Sequence, residues 1–254
     1  MYIDTDGFVL RQVKTTDGRR MIQLFTRKYG KISAGTSINE RGKNKSALAL
    51  RPFTYGRYDL FKSRSSYNIN SAEVKSSFFD IGSDVEKFML ASYILEYTGA
   101  LLPEEEPNES IFELMTEFFS MLASRKSHME TLASAYQLQA LKYSGLAPRL
   151  DSCVCCGKKL IRPSEGGNGK VAFSTEEGGI VCRNCLEENR VPKELIIAID
   201  FDIVDILKYL LTSPLKNFEK IGLSDEKQAV VKKIIDLYSG YHMEIEKFRT
   251  KDLI

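Results

Sequence analysis

The sequence contains no tryptophan and only two histidines, His128 and His242, among its 254 residues. A catalytic triad that uses histidine would have little to choose from. The ATP-binding pattern G-x-x-x-x-G-K-[ST] is also missing, because the glycine-rich run GGNGK at residues 166–170 is followed by valine. We therefore expect that the protein is not an enzyme.

Long hydrophobic runs are missing as well. The most apolar stretch, residues 194–211, is interrupted by Asp200, Asp202 and Asp205, whereas a membrane span needs about 20 consecutive apolar residues. The first residues lack the basic region and apolar run of a secretion signal. We therefore expect a cytoplasmic protein that makes no contact with a membrane.

Cysteine is absent outside residues 153–185, where all five cysteines occur. Four of them form two C-x-x-C pairs, Cys153 with Cys156 and Cys182 with Cys185. At this spacing two thiolates of one tight turn can bind a single tetrahedral zinc ion. A zinc ion with four cysteine ligands has no open position for water. The sequence therefore predicts one structural Zn²⁺ per chain.

The fifth cysteine, Cys155, leaves alternatives open. We expect it to be a bystander, but it could replace Cys156 as a ligand. Gly157 favours Cys156, because a glycine after the second ligand lets the chain turn. Disulfides would need an oxidising compartment. A redox-active dithiol at Cys153 and Cys156 is another alternative, although one shared metal accounts better for two neighbouring pairs.

The net charge of +2 conceals an uneven distribution. Residues 1–80 carry 15 Lys and Arg against 7 Asp and Glu, and the remaining residues carry 21 against 27. A basic segment joined to an acidic body is typical of proteins that bind nucleic-acid phosphates, although excess charge can also merely solvate a surface. The cations that we expect to contact nucleic-acid phosphates are Arg11, Lys14, Arg19, Arg20, Arg27, Lys28, Lys31, Arg41, Lys43, Lys45, Arg51 and Arg57.

Residues 1–80 read as about five short strands separated by turns at Asp17-Gly18 and at Tyr29-Gly30-Lys31. Strands that must close their own edges favour a small barrel of the OB-fold type. The polar, basic segment 39–46 has no core residues, so we predict a loop that contacts phosphates. One or two of the interleaved aromatics are expected to stack on bases. These aromatics are Tyr29, Phe53, Tyr55, Tyr58, Phe61 and Tyr67.

Helical patterns begin at Ser83, which with Glu86 forms a predicted capping box. Asn108 is predicted to cap a second helix, and a third extends from about residue 128 to 144. A hairpin around Gly178-Gly179 leads to Cys182, and two further helices are expected at 200–212 and 224–238. The apolar positions expected to recur along the first two helices are Val85, Phe88, Met89, Leu95, Ile111, Leu114, Met115, Phe118 and Leu122.

The fold class that we predict is α+β. It comprises an OB-fold β-barrel at 1–80, an α-helical domain at 81–150 and 191–254, and a zinc-binding insert at 151–190.

The order and spacing of several short segments resemble the RecO family of bacterial recombination mediators over essentially the whole chain. No single segment is specific, but together they are. They are Gly7–Leu10, Leu24–Thr26, Tyr29–Lys31, Leu50–Phe53, Gly145–Pro148, Cys153–Gly157, Phe173, Gly178-Gly179 and Cys182–Cys185.

This resemblance implies a non-enzymatic protein that binds single- and double-stranded DNA and anneals complementary strands. It also implies three protein partners: with RecR, such a protein helps RecA displace single-stranded-DNA-binding protein. The acidic tail of the latter would dock on the helical domain, where Lys142 and Arg149 are the cations near the third helix. The rival hypothesis is a zinc-containing adaptor or regulator whose basic face is incidental.

Overall fold

Five strands form a closed barrel at the amino-terminal end of the chain. The computed structural model describes residues 1–16, 19–38, 45–64, 66–162, 171–192, 195–243 and 250. The barrel order is β1-β2-β3-β5-β4, with β3 and β5 parallel and the other neighbours antiparallel. The predicted OB-type barrel is therefore confirmed. Its strands are β1 (Tyr2–Lys14), β2 (Arg20–Thr26), β3 (Gly30–Thr36), β4 (Thr54–Lys62) and β5 (Tyr67–Ser77).

The barrel interior is filled by alternating apolar residues, as strands with one buried face require. Tyr58 is fully buried in this core, and its hydroxyl donates to the carbonyl oxygen of Ala49 at 2.7 Å. Burial raises the pKa of this phenol. Ala49 ends a short helix, α1 (Lys45–Ala49). The predicted loop at 39–46 is thus wrong at its end, because residues 45 and 46 are helical; residues 39–44 lie outside the described part of the chain, as does the predicted turn at Asp17-Gly18.

The predicted turn between β2 and β3 is present at residues 27–29, and Gly30 follows it with φ of +65°. A Cβ atom at this position would lie 2.2 Å from the carbonyl oxygen of Glu106. Only glycine satisfies both the positive φ and this close approach.

Replacing Gly30 by alanine is expected to lower the free energy of unfolding by about 2–4 kcal/mol, since backbone strain and a backbone clash are both introduced. Urea denaturation followed by circular dichroism would measure this. Gly82→Ala is the control, because an added Cβ meets nothing within 4 Å there. Equal losses in both variants would contradict the prediction.

Two helices follow the barrel, α2 (Val85–Leu101) and α3 (Glu109–Ser124). The predicted capping box is wrong by one residue. Ser83 ends a 3-10 turn, and the Asp84 side chain accepts from the amide of Lys87 at 3.1 Å. The cap at Asn108 is confirmed, since its side chain accepts from the amide of Ile111 at 3.0 Å.

The two helices also differ in how well periodicity predicted their buried faces. All five positions expected on the second helix, α3, are buried. On α2, Leu95 is buried, whereas Val85 and Phe88 are exposed.

Aromatic rings join α3 to the outside of the barrel. Phe112 lies 5.5 Å from Phe8 and 5.4 Å from Phe25, measured between ring centroids, and Phe119 lies 5.7 Å from Phe8. Such pairs contribute beyond the area that they bury. The barrel, α2 and α3 accordingly belong to one compact unit, which comprises residues 1–129 and, at the other end of the chain, residues 248–254.

A second compact unit begins at Glu130, in the first turn of α4. The predicted hairpin is present as β6 and β7, but β8, which pairs with β6, was not predicted. The predicted domain boundaries near residues 80, 150 and 190 stay a prediction. The elements of this unit are α4 (Met129–Tyr143), β6 (Val171–Ser174), β7 (Gly179–Val181), α5 (Arg183–Glu187), β8 (Ile196–Ile199), α6 (Phe201–Thr212) and α7 (Asp225–His242).

Helix α4 is buried on all sides from Thr131 to Leu141. Its polar side chains have partners, as buried polar groups require. The amide of Gln139 donates to the carbonyl oxygens of Leu210 and Ser213 at 2.9 and 3.0 Å. Across the described residues, no helix is both long and apolar enough to cross a membrane.

Candidate metal centre and nucleic-acid interface

The first cysteine pair lies on a tight turn. The amide of Cys153 donates to the carbonyl oxygen of Lys158, and the amide of Gly157 donates to that of Cys153, both at 2.9 Å. Gly157 has φ of +71°, which is the conformation expected of a glycine after the second ligand. The turn therefore presents the thiols of Cys153 and Cys156 to the same point.

The second pair follows strand β7. Cys182 is the residue before α5, and Cys185 lies within this short helix. The amide of Val154 donates to the carbonyl oxygen of Ile180 at 2.9 Å, which fixes the first turn against β7. Gly179 permits a close approach here, because a Cβ atom would lie 2.2 Å from the carbonyl oxygen of Arg149.

The sulfur atoms of the four predicted ligands, Cys153, Cys156, Cys182 and Cys185, lie within 4.8 Å of one another. The sulfurs of Cys156 and Cys182 are 3.8 Å apart, and all five cysteines are free thiols. Four sulfurs around zinc, each about 2.3 Å from the ion, would be separated by about 3.8 Å. The cluster therefore has the size and donor set of a closed tetrahedral metal site.

The environment of the thiols differs within the cluster. Burial disfavours ionisation of Cys153, but the amides of Cys182, Cys156 and Cys155 are directed at its sulfur and outweigh this, so the pKa falls to about 6. Burial raises the pKa of Cys185. The protein alone thus favours the ionised form of Cys153, and a bound cation would favour ionisation of the other three thiols.

Cys155 does not belong to the set of four. Burial, followed by the nearby charge of Cys153, raises the pKa of its thiol to about 11. The pKa of Cys185 is raised as well, so position rather than pKa separates Cys155 from the four: its sulfur is not among those that lie within 4.8 Å of one another. This supports the interpretation of Cys155 as a bystander.

Several predicted DNA contacts have carboxylate partners within the barrel unit. Arg27 pairs with Glu109 and, at 2.6 Å, with Glu113. Lys31 is only 12% exposed, pairs with Glu104 at 3.3 Å and donates to a backbone carbonyl at 2.8 Å. Both cations therefore help to hold the helical segments against the barrel.

Asp4 neutralises two further predicted contacts. It lies 3.1 Å from Lys28 and 3.0 Å from Arg57. The hydrogen bond and the charge of Lys28 hold the pKa of Asp4 below its usual value, so this carboxylate is ionised at neutral pH. Asp59 lies directly opposite Asp4 in the register of β1 and β4. This face of the barrel therefore has a mixed charge.

Three predicted contacts, Arg11, Lys14 and Arg51, are exposed. No carboxylate of the described residues forms an ion pair with any of them. Their positive charges are therefore available to bind an external anion.

These cations lie at one end of the barrel. Lys14 is directly opposite Arg20 in the register of β1 and β2, and Arg20 donates to the carbonyl oxygen of Ile38 and to the side chain of Gln12. Gln12 in turn donates to the carbonyl oxygen of Leu50, next to Arg51. Loops at the ends of OB-fold barrels contact nucleic acids. We call Arg11, Lys14, Arg19, Arg20 and Arg51 the cationic end.

The remaining predicted cations are only partly described. Arg41 and Lys43 lie outside the described residues, and Lys45 starts α1. Arg64, which is exposed between β4 and β5, is not among the predicted contacts, although its place in a turn next to a strand was a usable signal. Nearby on β4, Phe61 is 37% exposed and contacts Tyr2.

Comparison with known proteins agrees with the geometry. The family "Recombination protein O N terminal" matches residues 1–78, and "Recombination protein O C terminal" matches residues 82–252. A protein of Alkaliphilus metalliredigens named DNA repair protein RecO is 30% identical over 253 residues, which cover 100% of this chain and 98% of that protein. Its namesake from Caldanaerobacter subterraneus is 30% identical over 99% and 96% of the two chains. The chain therefore belongs to the RecO family of DNA repair proteins.

Proposed function

We propose that this DNA repair protein binds single- and double-stranded DNA through the cationic end and anneals complementary strands. The observation that carries the proposal is the distribution of ion pairs. Arg11, Lys14 and Arg51 have no carboxylate partner among the described residues, whereas Lys28 and Arg57 share Asp4. A cation without a carboxylate partner can neutralise a phosphate of DNA. The counterions bound to DNA are then released, and this release drives association.

Annealing by this route needs no catalytic group. Phosphates of two strands repel each other, and bound cations lower this repulsion, so that base pairing itself provides the driving free energy. The protein is accordingly proposed to be a non-enzymatic mediator. It would act with RecR to help load RecA onto DNA that is coated with single-stranded-DNA-binding protein.

The second compact unit is proposed to hold a structural Zn²⁺ ion and to contact protein partners. Cys153, Cys156, Cys182 and Cys185 would bind the ion, which would fix the two turns and the hairpin relative to each other. Lys142 and Arg149 are both exposed in this unit. They are the cations that we propose for the acidic tail of single-stranded-DNA-binding protein.

The test is the annealing of two complementary oligonucleotides coated with single-stranded-DNA-binding protein, with no nucleotide added. The protein is expected to accelerate annealing, and the acceleration is expected to fade as salt rises, because salt weakens phosphate contacts. Absence of acceleration by a folded protein would contradict the proposal and favour an adaptor without general DNA binding.

A further inference from the structure

A cleft of about 800 Å³ lies beside the cationic end. Arg20 and Arg51 of the cationic end and Gln12 of β1 line it together with Leu48 and Phe53, and Phe88 of α2 lines it as well. Clefts of a few hundred Å³ with mostly apolar walls and a few polar groups are typical of sites for small ligands. Every one of these residues belongs to the first compact unit.

Phe88 is unusual because it is 45% exposed although a core partner is available. Its ring contacts that of Phe53 edge to face, with centroids 5.5 Å apart. Leu48 in the same cleft is 40% exposed. Adjacent apolar side chains that are exposed to solvent inside a cleft are typical of a surface that binds a ligand or partner.

The backbone of the cleft carries strain. Phe53 has φ of +60°, a left-handed conformation that costs free energy for a bulky residue. The amide of Phe78 donates to its carbonyl oxygen at 3.1 Å, and Phe119 packs against its ring. Strain of this kind is concentrated at functional sites, and here it positions the aromatic partner of Phe88.

We propose that this cleft accepts an unpaired nucleobase of single-stranded DNA, which stacks on Phe88 while Arg51 binds a neighbouring phosphate. Stacking on an aromatic ring accepts any base, because every base has a π face. A duplex keeps its bases inside, so the cleft would add affinity for single strands only. The inference rests on the proposed DNA binding at the cationic end and extends it to strand preference.

The polar groups of the walls suit the edge of a base. Arg20 and Arg51 bring two cations to the cleft, and Glu73 brings one carboxylate. Amino groups on the edges of bases can donate to this carboxylate, whereas an ionised acidic side chain has no donor for it. Thr54 and Ser77 provide further hydroxyl groups in the same walls.

The test compares two fluorescent oligonucleotides of equal length, one with bases and one made of abasic sites, by anisotropy with the full-length protein. Phe88→Ala is expected to weaken binding of the base-bearing strand about tenfold, as loss of one stacked base does, and to leave the abasic strand unchanged. Phe88→Leu is expected to show the same loss, because it keeps apolar volume without a π face. Val85→Ala, on the same helix and 73% exposed, is the control and should change neither affinity.

Three results would overturn the inference. They are an unchanged affinity of Phe88→Ala for the base-bearing strand, an equal loss for both strands, and full recovery in Phe88→Leu. The first is also the result expected if the cleft holds an acidic peptide. Failure of the wild-type protein to bind either strand would overturn the proposed DNA binding itself, and the inference with it.

Discussion

Replacement of Cys182 by serine is expected to release the metal and to destabilise the second compact unit at the same time. A serine hydroxyl does not replace a thiolate as a zinc ligand, and structural zinc contributes an apparent binding free energy of about 10–16 kcal/mol in small zinc domains. Cys182 also connects β7 to α5, so its loss frees both elements. Zinc content by plasma mass spectrometry and thermal unfolding by circular dichroism measure the two effects.

The matched control is Cys155→Ser, which removes a thiol from the same turn but not from the set of four sulfurs. It is expected to keep both the zinc and the unfolding temperature. Loss of zinc in this variant would show that Cys155, rather than Cys156, is a ligand. A wild-type protein that is stable without zinc would contradict the structural role, and turnover of disulfide reagents by it would favour the redox alternative.

The cysteine cluster could be predicted from the sequence because its geometry is set locally. Each C-x-x-C pair forms one tight turn, and a glycine after the second cysteine indicates the conformation that the turn requires. The hairpin between the pairs follows from Gly178-Gly179 in the same way. Only β8, which pairs with β6 from beyond the cysteines, depends on a longer-range contact, and the sequence analysis missed it.

The cationic residues show why charge alone did not define the interface. Arg27 and Lys31 contribute to the positive charge of residues 1–80, yet their partners are Glu109, Glu113 and Glu104. These carboxylates lie in α3 and in the segment that precedes it, and no local pattern links them to the barrel. Tertiary structure therefore decides which cations remain available.

Periodicity failed on α2 for a related reason. Val85 and Phe88 lie at helical spacing, as the apolar residues of α3 do, but the α3 residues are buried and these two are exposed. A spacing of three or four residues identifies a face of a helix but not what covers it. The exposure of Phe88 therefore depends on the tertiary structure, and periodicity alone does not predict it. Its place in the cleft is likewise visible only in the fold.

Neutralising Arg11 and Lys14 together, as Arg11→Gln with Lys14→Gln, is expected to weaken binding of single-stranded DNA about 25-fold near 0.1 M salt. Each phosphate contact on a single strand adds about 0.7 to the slope of log K against log salt, so two lost contacts reduce the slope by about 1.4. Titrations of a labelled oligonucleotide at several salt concentrations give both the affinity and the slope. The annealing rate is expected to fall with the affinity.

The matched control removes two positive charges beside Asp4, as Lys28→Gln with Arg57→Gln. Both variants have the same net charge, so long-range attraction to DNA falls equally and only local contacts differ. Lys28 and Arg57 already share Asp4, and exposed ion pairs contribute little to stability. The control is therefore expected to fold normally and to keep most of the salt dependence. Equal slopes of log K against log salt in the two variants would show that binding depends only on the total charge of the protein. This result would contradict the proposal that the cationic end is the DNA interface.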